Sequence, residues 1–377
     1  MNLEECREQI DLVDRQLIDL IRQRMEVSAQ VAAYKKAHHL PLFHPERERQ
    51  VLEKVSSPFP AEQQKGIRLL FEDMMEVSKS YQSKMLPVNQ RIFPLFSTPV
   101  RLPALPSGAN TACQGVEGAY SQIACQTLLE RPEIIFYRSF EDVFAAVESG
   151  RVEFGVLPIE NSTAGSVSAV YDLMSKYQFT ICRSLQLRIS HCLLGLPDAR
   201  VDQIKKVLSH EQALSQCGEY LWKNGIEGET RPNTAMAARE VRRIGDQSVA
   251  AIGSAACAEL YGLKVLINGI QSQSQNYTRF ICISKSHLRL PSPSRASLRA
   301  ILPHQVGSLY QVLRCFAMEG INLLKLESRP IPSAPSQFQF YFDLDAACGE
   351  KTLVRVLEGL CARCRVELLG IYPETEA

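Results

Sequence analysis

RVEFGVLPIENSTAGSV, residues 151–167, reads as a β-strand running into the start of a helix. The run RVEFGVLPI (151–159) is β-type, and the Ser, Thr and Gly that follow precede a helix expected over 167–177. Glu160 and Asn161 then lie just off a strand end. The pattern repeats outward along the chain: FTICRSLQLRI (179–189), KKVLSH (205–210), SVAAIG (248–253) and TRFICIS (278–284) alternate with helical stretches. Such alternation implies an α/β sheet with ligands at the strand ends. The α/β region is bounded at 111–289.

Pro94, Pro99, Pro103 and Pro106 make 91–110 a semi-stiff linker, and LPSPSRAS (290–297) is a second spacer. Beyond it, 298–377 reads strand (298–303), helix (308–319), strands (321–331 and 338–346), helix (350–363) and strand (366–372). That βαββαβ order is a ferredoxin-like α+β sandwich. Phe338, Phe340, Phe342 and Leu344 share one face of its third strand; Gln339, Tyr341, Asp343 and Asp345 share the other.

Upstream, residues 1–40 contain neither Gly nor Pro. Leu3, Cys6, Ile10, Val13, Leu17, Leu20, Val27, Val31 and Tyr34 recur in steps of three and four, so one helix of ~50 Å is expected. Helices over 45–55 and 61–85 complete an all-α module, 1–90, whose first helix outruns its partners and is expected to dimerise. Arg24 interrupts the apolar seam: it either faces an anion or makes an interhelical ion pair. Lys35 lies on nearly the same face, ~16 Å on, whereas Arg7 is ~25 Å from Arg24. If Arg7 and Arg24 serve one site, Arg7 comes from a second chain.

The chain has 377 residues, enough for two or three domains, with 45% apolar and 22% charged residues. Lys and Arg number 42 against 41 Asp and Glu, so there is no cationic field for nucleic acid. No apolar run reaches membrane-spanning length, and Met1 to Asp11 is acidic where a signal peptide would be basic. Twelve scattered Cys suit reduced thiols in a cytoplasmic protein. Cys361 and Cys364 form a CxxC without a second ligand pair, so neither metal nor other cofactor is expected.

Four clusters in the α/β region carry chemistry. QGVEGAYS (114–121) sets Gly115 and Gly118 before Tyr120, Ser121 and a helix, and presents backbone N–H groups or is an ordinary turn. PIENSTAGSV contributes Glu160, Asn161 and Ser162. SHEQALSQC (209–217) brings Ser209, His210, Gln212 and Gln216 to a strand–helix junction, where His210 is a ligand contact or a structural histidine. NYTRF (276–280) places Thr278, Arg279 and Phe280 at a strand start, Thr278 being also a simple β-former.

In order, GxxGAYS, PIENS, HCLL (191–194), SHxQALxQC, PNTAMAA (232–238), GSAACAELYGL (253–263) and NYTRF closely resemble prephenate dehydratase. The resemblance implies two lobes around a cleft, as in periplasmic binding proteins. It implies Thr278 hydrogen bonding or protonating the departing hydroxyl of prephenate, and Glu160, Asn161 and Gln216 orienting the ring. Arg279 and helix N-termini would bind carboxylate, with Tyr120, Ser121, Ser162, Ser209, His210 and Phe280 also around the substrate. Likewise Arg7, Arg24, Lys35, Arg47, Glu48 and the Ser78–Gln82 pair resemble the all-helical, intertwined-dimer chorismate mutases. There the cations would hold the carboxylates and ether oxygen of chorismate, and Glu48 and Gln82 its hydroxyl and ether side. His44 stands where many such proteins carry an acid.

GSLYQVL (307–313), GIN (320–322) and ESRP (327–330) resemble the ACT regulatory domain. That implies L-phenylalanine held by Gly307, Ser308 and Leu309 amides, with Asn322, Glu327, Ser328 and Arg329 opposite. The expected whole is a cytoplasmic, feedback-inhibited, homodimeric or larger enzyme of phenylalanine biosynthesis. Rival readings are an arogenate dehydratase, which the fused mutase disfavours, and a catalytically silent two-lobed binding protein.

Overall fold

The computed structural model describes residues 2–87, 93–273, 275–331 and 334–377. α1 (Leu3–Ala37) is a single helix, opened by a capping box in which Asn2 and Glu5 exchange side-chain and backbone hydrogen bonds. α2 (Pro45–Ser56) follows a tight turn, and His44 supplies its cap: Nδ1 accepts from the Arg47 amide at 3.3 Å. The imidazole therefore does the capping an acid would do there. α3 (Ala61–Ser83) packs against both. Only Ser28 and Ala32 of α1 are buried, while Leu3, Ile10, Val13 and Leu17 stay 68, 59, 53 and 46% exposed.

The α/β region forms two sheets. One has seven strands, with Glu374–Glu376, Thr180–Arg188, Tyr277–Ser284, Phe154–Asn161, Asn110–Gln114 and Glu133–Tyr137 in that order and Gly165–Ser166 paired onto Phe154–Asn161. The other has five: Lys264–Ile267, Cys192–Gly195, Val249–Gly253, Lys206–Ser209 and Glu227–Thr230. The chain crosses between them twice, at 189–191 and again at 268–276. The C-terminal sheet is ordered Leu323–Ile331, Ala334–Asp345, Arg295–Ile301, Arg365–Tyr372, the ferredoxin-like arrangement, with helices Ser308–Met318 and Glu350–Cys361 on one face.

Neither Pro-rich spacer is free. Phe93, Leu95 and Phe96 are buried in the core of the C-terminal domain, with Pro94 opening one helical turn. Val100–Arg101 pairs with Leu288–Arg289, and Leu105 is buried with the seven-stranded sheet. The aromatic and aliphatic residues between the prolines outweigh the extended tendency. The second spacer likewise ends in a strand from Arg295, because Ala296, Leu298 and Ala300 are core residues. The boundary at 90/91 lies outside the described residues.

The chain order is helical module, α/β module, C-terminal domain, but in space the C-terminal domain lies between the other two. Its helical face meets α3 through Arg363–Glu76 (2.6 Å), Arg314–Asp73 and Ser80–Glu319 (2.6 Å). Its open sheet face meets the seven-stranded sheet. Tyr341, Leu369 and Tyr372 join that core, so the face of Gln339, Tyr341 and Asp343 is buried as well as that of Phe342 and Leu344. Gly370 marks the closest approach: a Cβ there would lie 2.2 Å from the Ile181 carbonyl oxygen. Gly370→Ala, which in an unhindered strand costs nothing, is expected to destabilise by about 1–3 kcal/mol through overpacking. Urea unfolding measures it, and an unchanged midpoint would contradict the close approach.

Candidate active sites

A cavity of about 180 Å³ opens between the two sheets where the crossing segments meet. Three strand–helix junctions converge on it: Gly115 to Ser121, His210 to Gln216, and Asn233 with Thr234. The helix from Tyr120, whose first two residues line the cavity, has no side-chain cap, so its first-turn amides take no side-chain acceptor. No Asp, Glu, Lys or Arg lines the cavity among the described residues. Anion binding there falls to N–H donors and neutral side chains.

Asn161 organises the polar wall. Its Oδ1 accepts from the amides of Thr163 (3.1 Å) and Ala164 (3.0 Å), which fixes which way the amide points. Nδ2 then donates to Asn276 Oδ1 (2.8 Å) and Thr278 Oγ1 (3.0 Å). Since the Thr278 oxygen is an acceptor towards Asn161, its own proton is left for a group in the cavity. Gln216 Oε1 accepts from His191 Nε2 (2.9 Å) and Asn276 Nδ2 (3.0 Å), and its Nε2 donates to Thr163 Oγ1 (3.2 Å).

His191 opens the HCLL motif, and nothing in the local sequence marks it as a site residue. It sits in the first crossing, buried, with its carbonyl accepting from Ile270 N and its amide donating to Gln271 Oε1 in the second. Burial pushes its pKa below the ordinary value against the opposing pull of Gln216, so the ring is neutral at pH 7. The bond to Gln216 puts the proton on Nε2. Tyr120 O–H donates to the Ser190 carbonyl (2.7 Å) and lies 3.3 Å from His191 Nδ1. Burial raises the Tyr120 pKa well above its usual value, so the phenol is un-ionised. The sequence signal was a lone His before an apolar strand; its place in a crossing needs the topology.

Tyr120, Ser121, Asn161, His210, Gln216 and Thr278 line the cavity as expected from the sequence, together with Gln212. Five expected residues do not. Arg279 follows Thr278 on a strand, so its side chain takes the opposite face. It is 4% exposed, 2.7 Å from Asp343 of the C-terminal domain and 3.4 Å from Glu160. Burial is the largest single influence and acts to lower its pKa, but Asp343, Tyr372, Tyr171 and Glu160 together outweigh it and the guanidinium stays charged. Glu160 accompanies it, bound by Lys325 at 2.8 Å. Phe280 is core, Ser209 donates to the Ile252 carbonyl, and Ser162 bonds the 275–277 backbone.

In the helical module, Arg24 donates to Ser78 Oγ and the Met74 carbonyl, and Lys35 to Gln82 Oε1 (3.2 Å) and the Leu42 carbonyl (2.8 Å). Burial lowers the Lys35 pKa, with Glu48 raising it. Arg24, Lys35, Ser78 and Gln82 therefore share the α1–α3 face; Glu48 of α2 reaches Lys79 of α3, Arg47 is exposed on α2, and Arg7 is remote on α1. In the C-terminal domain Gly307 holds a left-handed turn (φ 87°) before the helix, and Ser308 N donates to Gln305 O. Glu327 accepts from Ser166 (2.6 Å) and Arg329 pairs with Asp172 (2.9 Å), both on the seven-stranded lobe; Asn322 and Ser328 are exposed.

A cation-bearing helical module, a two-lobed cavity of hydroxyl and amide groups, and a ferredoxin-like domain between them are the build of a multidomain isomerase–lyase. A model of type II chorismate mutase matches residues 6–83, and one of prephenate dehydratase matches 111–288. The bifunctional chorismate mutase/prephenate dehydratase of Enterobacter agglomerans is 31% identical over 97% of this chain and 95% of its own. A prephenate dehydratase from Arthrobacter aurescens, solved in complex with L-Phe, superposes with a TM-score of 0.65 at 25% identity, over 70% of this chain and 90% of that one. A structure described as a novel type of quorum-quenching acylase gives the same score at 32% identity, over 70% and 97%. The chain belongs to the bifunctional chorismate mutase/prephenate dehydratase family. It is an enzyme of phenylalanine biosynthesis with both activities. No helix among the described residues is long and apolar enough to cross a membrane.

Proposed function

We propose that prephenate binds in the cavity between the lobes with its C4 hydroxyl at Thr278. The C1 carboxylate leaves as CO2, its bonding electrons enter the ring, and the hydroxyl departs as water, giving phenylpyruvate. Thr278 is a poor acid, so it serves as an aimed donor to the departing oxygen, and the proton that completes the water molecule is drawn from solvent in the cavity. The observation that carries this reading is the Asn161 bond into Thr278, which leaves the hydroxyl proton free to be donated to the departing oxygen. Asn161 and Gln216 orient the ring, and first-turn amides near Tyr120 and Ser121 take carboxylate.

In the helical module, chorismate is compressed between Arg24, Lys35 and Gln82 of one chain and Arg7 of a second. A [3,3] rearrangement needs only such compaction and cations beside the breaking C–O bond. Incubation with chorismate should yield prephenate and then phenylpyruvate. Arogenate supplied in place of prephenate should turn over more slowly; preferred use of arogenate would reverse the substrate assignment.

L-Phenylalanine is assigned to the turn at Gly307 to Leu309, opposite the 322–330 strand of a neighbouring copy. Coupling of ~1–3 kcal/mol gives a 5- to 150-fold effect. Ser308→Glu places a carboxylate where the ligand's would dock, and is expected to abolish inhibition while leaving uninhibited turnover nearly unchanged. Inhibition persisting at the wild-type phenylalanine concentration would move the effector site elsewhere.

A further inference from the structure

Lys79, on α3 between Ser78 and Gln82, belongs to no motif read from the sequence. Its side chain is 10% exposed, and its Nζ lies 2.7 and 2.9 Å from the two oxygens of Glu48 and 2.6 Å from Glu76 Oε1. An ammonium carries three N–H donors, so all three are taken and none remains for substrate. Phe43 closes the group off, its ring centroid 5.0 Å from Nζ and 5.3 Å from Arg363 Cζ. Glu76 is held in turn by Arg363 (2.6 Å) and Arg314 (3.5 Å) of the C-terminal domain. Glu48 is thus the end of a buried chain of alternating charges anchored outside the helical module.

The geometry points to Lys79 as a positioning residue of the mutase site, fixing the Glu48 carboxylate and cancelling its charge beside a dianionic substrate. The inference rests on the reading of Glu48 as a mutase residue. Without Lys79, Glu48 would keep Lys35 on one side but face Glu76 and Glu72 across the hollow it shares with Arg314 and Arg363. A carboxylate left with only the more distant Lys35 and Arg363 repels the incoming carboxylates more strongly and loses its fixed orientation. Glu76 stays paired through its two arginines, so the fold keeps its contact with α3.

The test uses the full chain, with dehydratase turnover as the control for folding. Lys79→Met keeps length and packing on Phe43. It is expected to lower mutase kcat/KM roughly ten- to hundredfold, mostly through KM. Lys79→Arg should restore most activity, since its fork also fits a carboxylate. In a Glu48→Gln background, Lys79→Met should add little. The charge-neutral double variant reports even if Lys79→Met alone does not fold. An equal loss from Lys79→Met in both backgrounds, or none where Glu48→Gln alone is damaging, overturns the role of Lys79. If Glu48→Gln and Lys79→Met are both silent, it is the assignment of Glu48 that falls.

Discussion

Thr278→Val is expected to lower dehydratase kcat by roughly two to three orders of magnitude while mutase turnover persists. Valine keeps the branched shape that suits a strand start, so the register with Asn161 and Leu187 should survive. Two things go. The aimed proton is lost, and Asn161 Nδ2 loses its acceptor on Thr278 while keeping Asn276. Since Asn161 is still held by the Thr163 and Ala164 amides, its orientation should hold, and the loss should appear in kcat more than in KM. Thr278→Ser, which retains the hydroxyl, should keep much of the rate. Phenylpyruvate formed from prephenate by Thr278→Val at near wild-type rates would move the donor role to another cavity group. His210, neutral His191 and un-ionised Tyr120 are the titratable groups that line the cavity, and Glu160, ion-paired with Lys325 behind the strand, is not among them.

Much of the architecture was legible because it is local. The absence of Gly and Pro in 1–40 gives α1, and the strand-to-helix junctions at Asn161, Ser209 and Tyr120 follow from apolar runs ending in turn-forming residues. Thr278, Asn161 and Gln216 could be nominated as a set only through the joint motif resemblance, yet the cavity does gather them. Arg279 shows where local reading stops. Period-two alternation says that Thr278 and Arg279 face opposite ways, but not which face meets a cavity and which another domain. The same holds for Gln339, Tyr341 and Asp343, which alternation puts on one face and whose partners, Arg299, Tyr171 and Arg279, lie across the sheet or on another module. Lys79 was hidden for a like reason: its meaning depends on Glu48, thirty-one residues away, and on Arg363 beyond that.

Mixing two inactive mutase variants is expected to restore activity. Arg7→Ala and Arg24→Ala should each cost roughly two to three orders of magnitude in mutase turnover, since each removes a cation placed against a dianion. α1 is one unbroken helix, so Arg7 and Arg24 of a single chain stay ~25 Å apart along it and cannot close on one molecule of chorismate. The exposed Leu3, Ile10, Val13 and Leu17 stripe is the surface a second α1 would cover, bringing its Arg7 alongside Arg24. In a mixed dimer, one site takes intact Arg24 from the Arg7→Ala chain and intact Arg7 from the Arg24→Ala chain; the other site receives both alanines. Random exchange at equal amounts makes half the dimers mixed, so about a quarter of all sites are whole. Mutase activity should rise to that level as exchange proceeds, and dehydratase activity, housed within single chains, should not change. Two variants that stay inactive after exchange is verified by mass-tagged subunits would place Arg7 outside the mutase site.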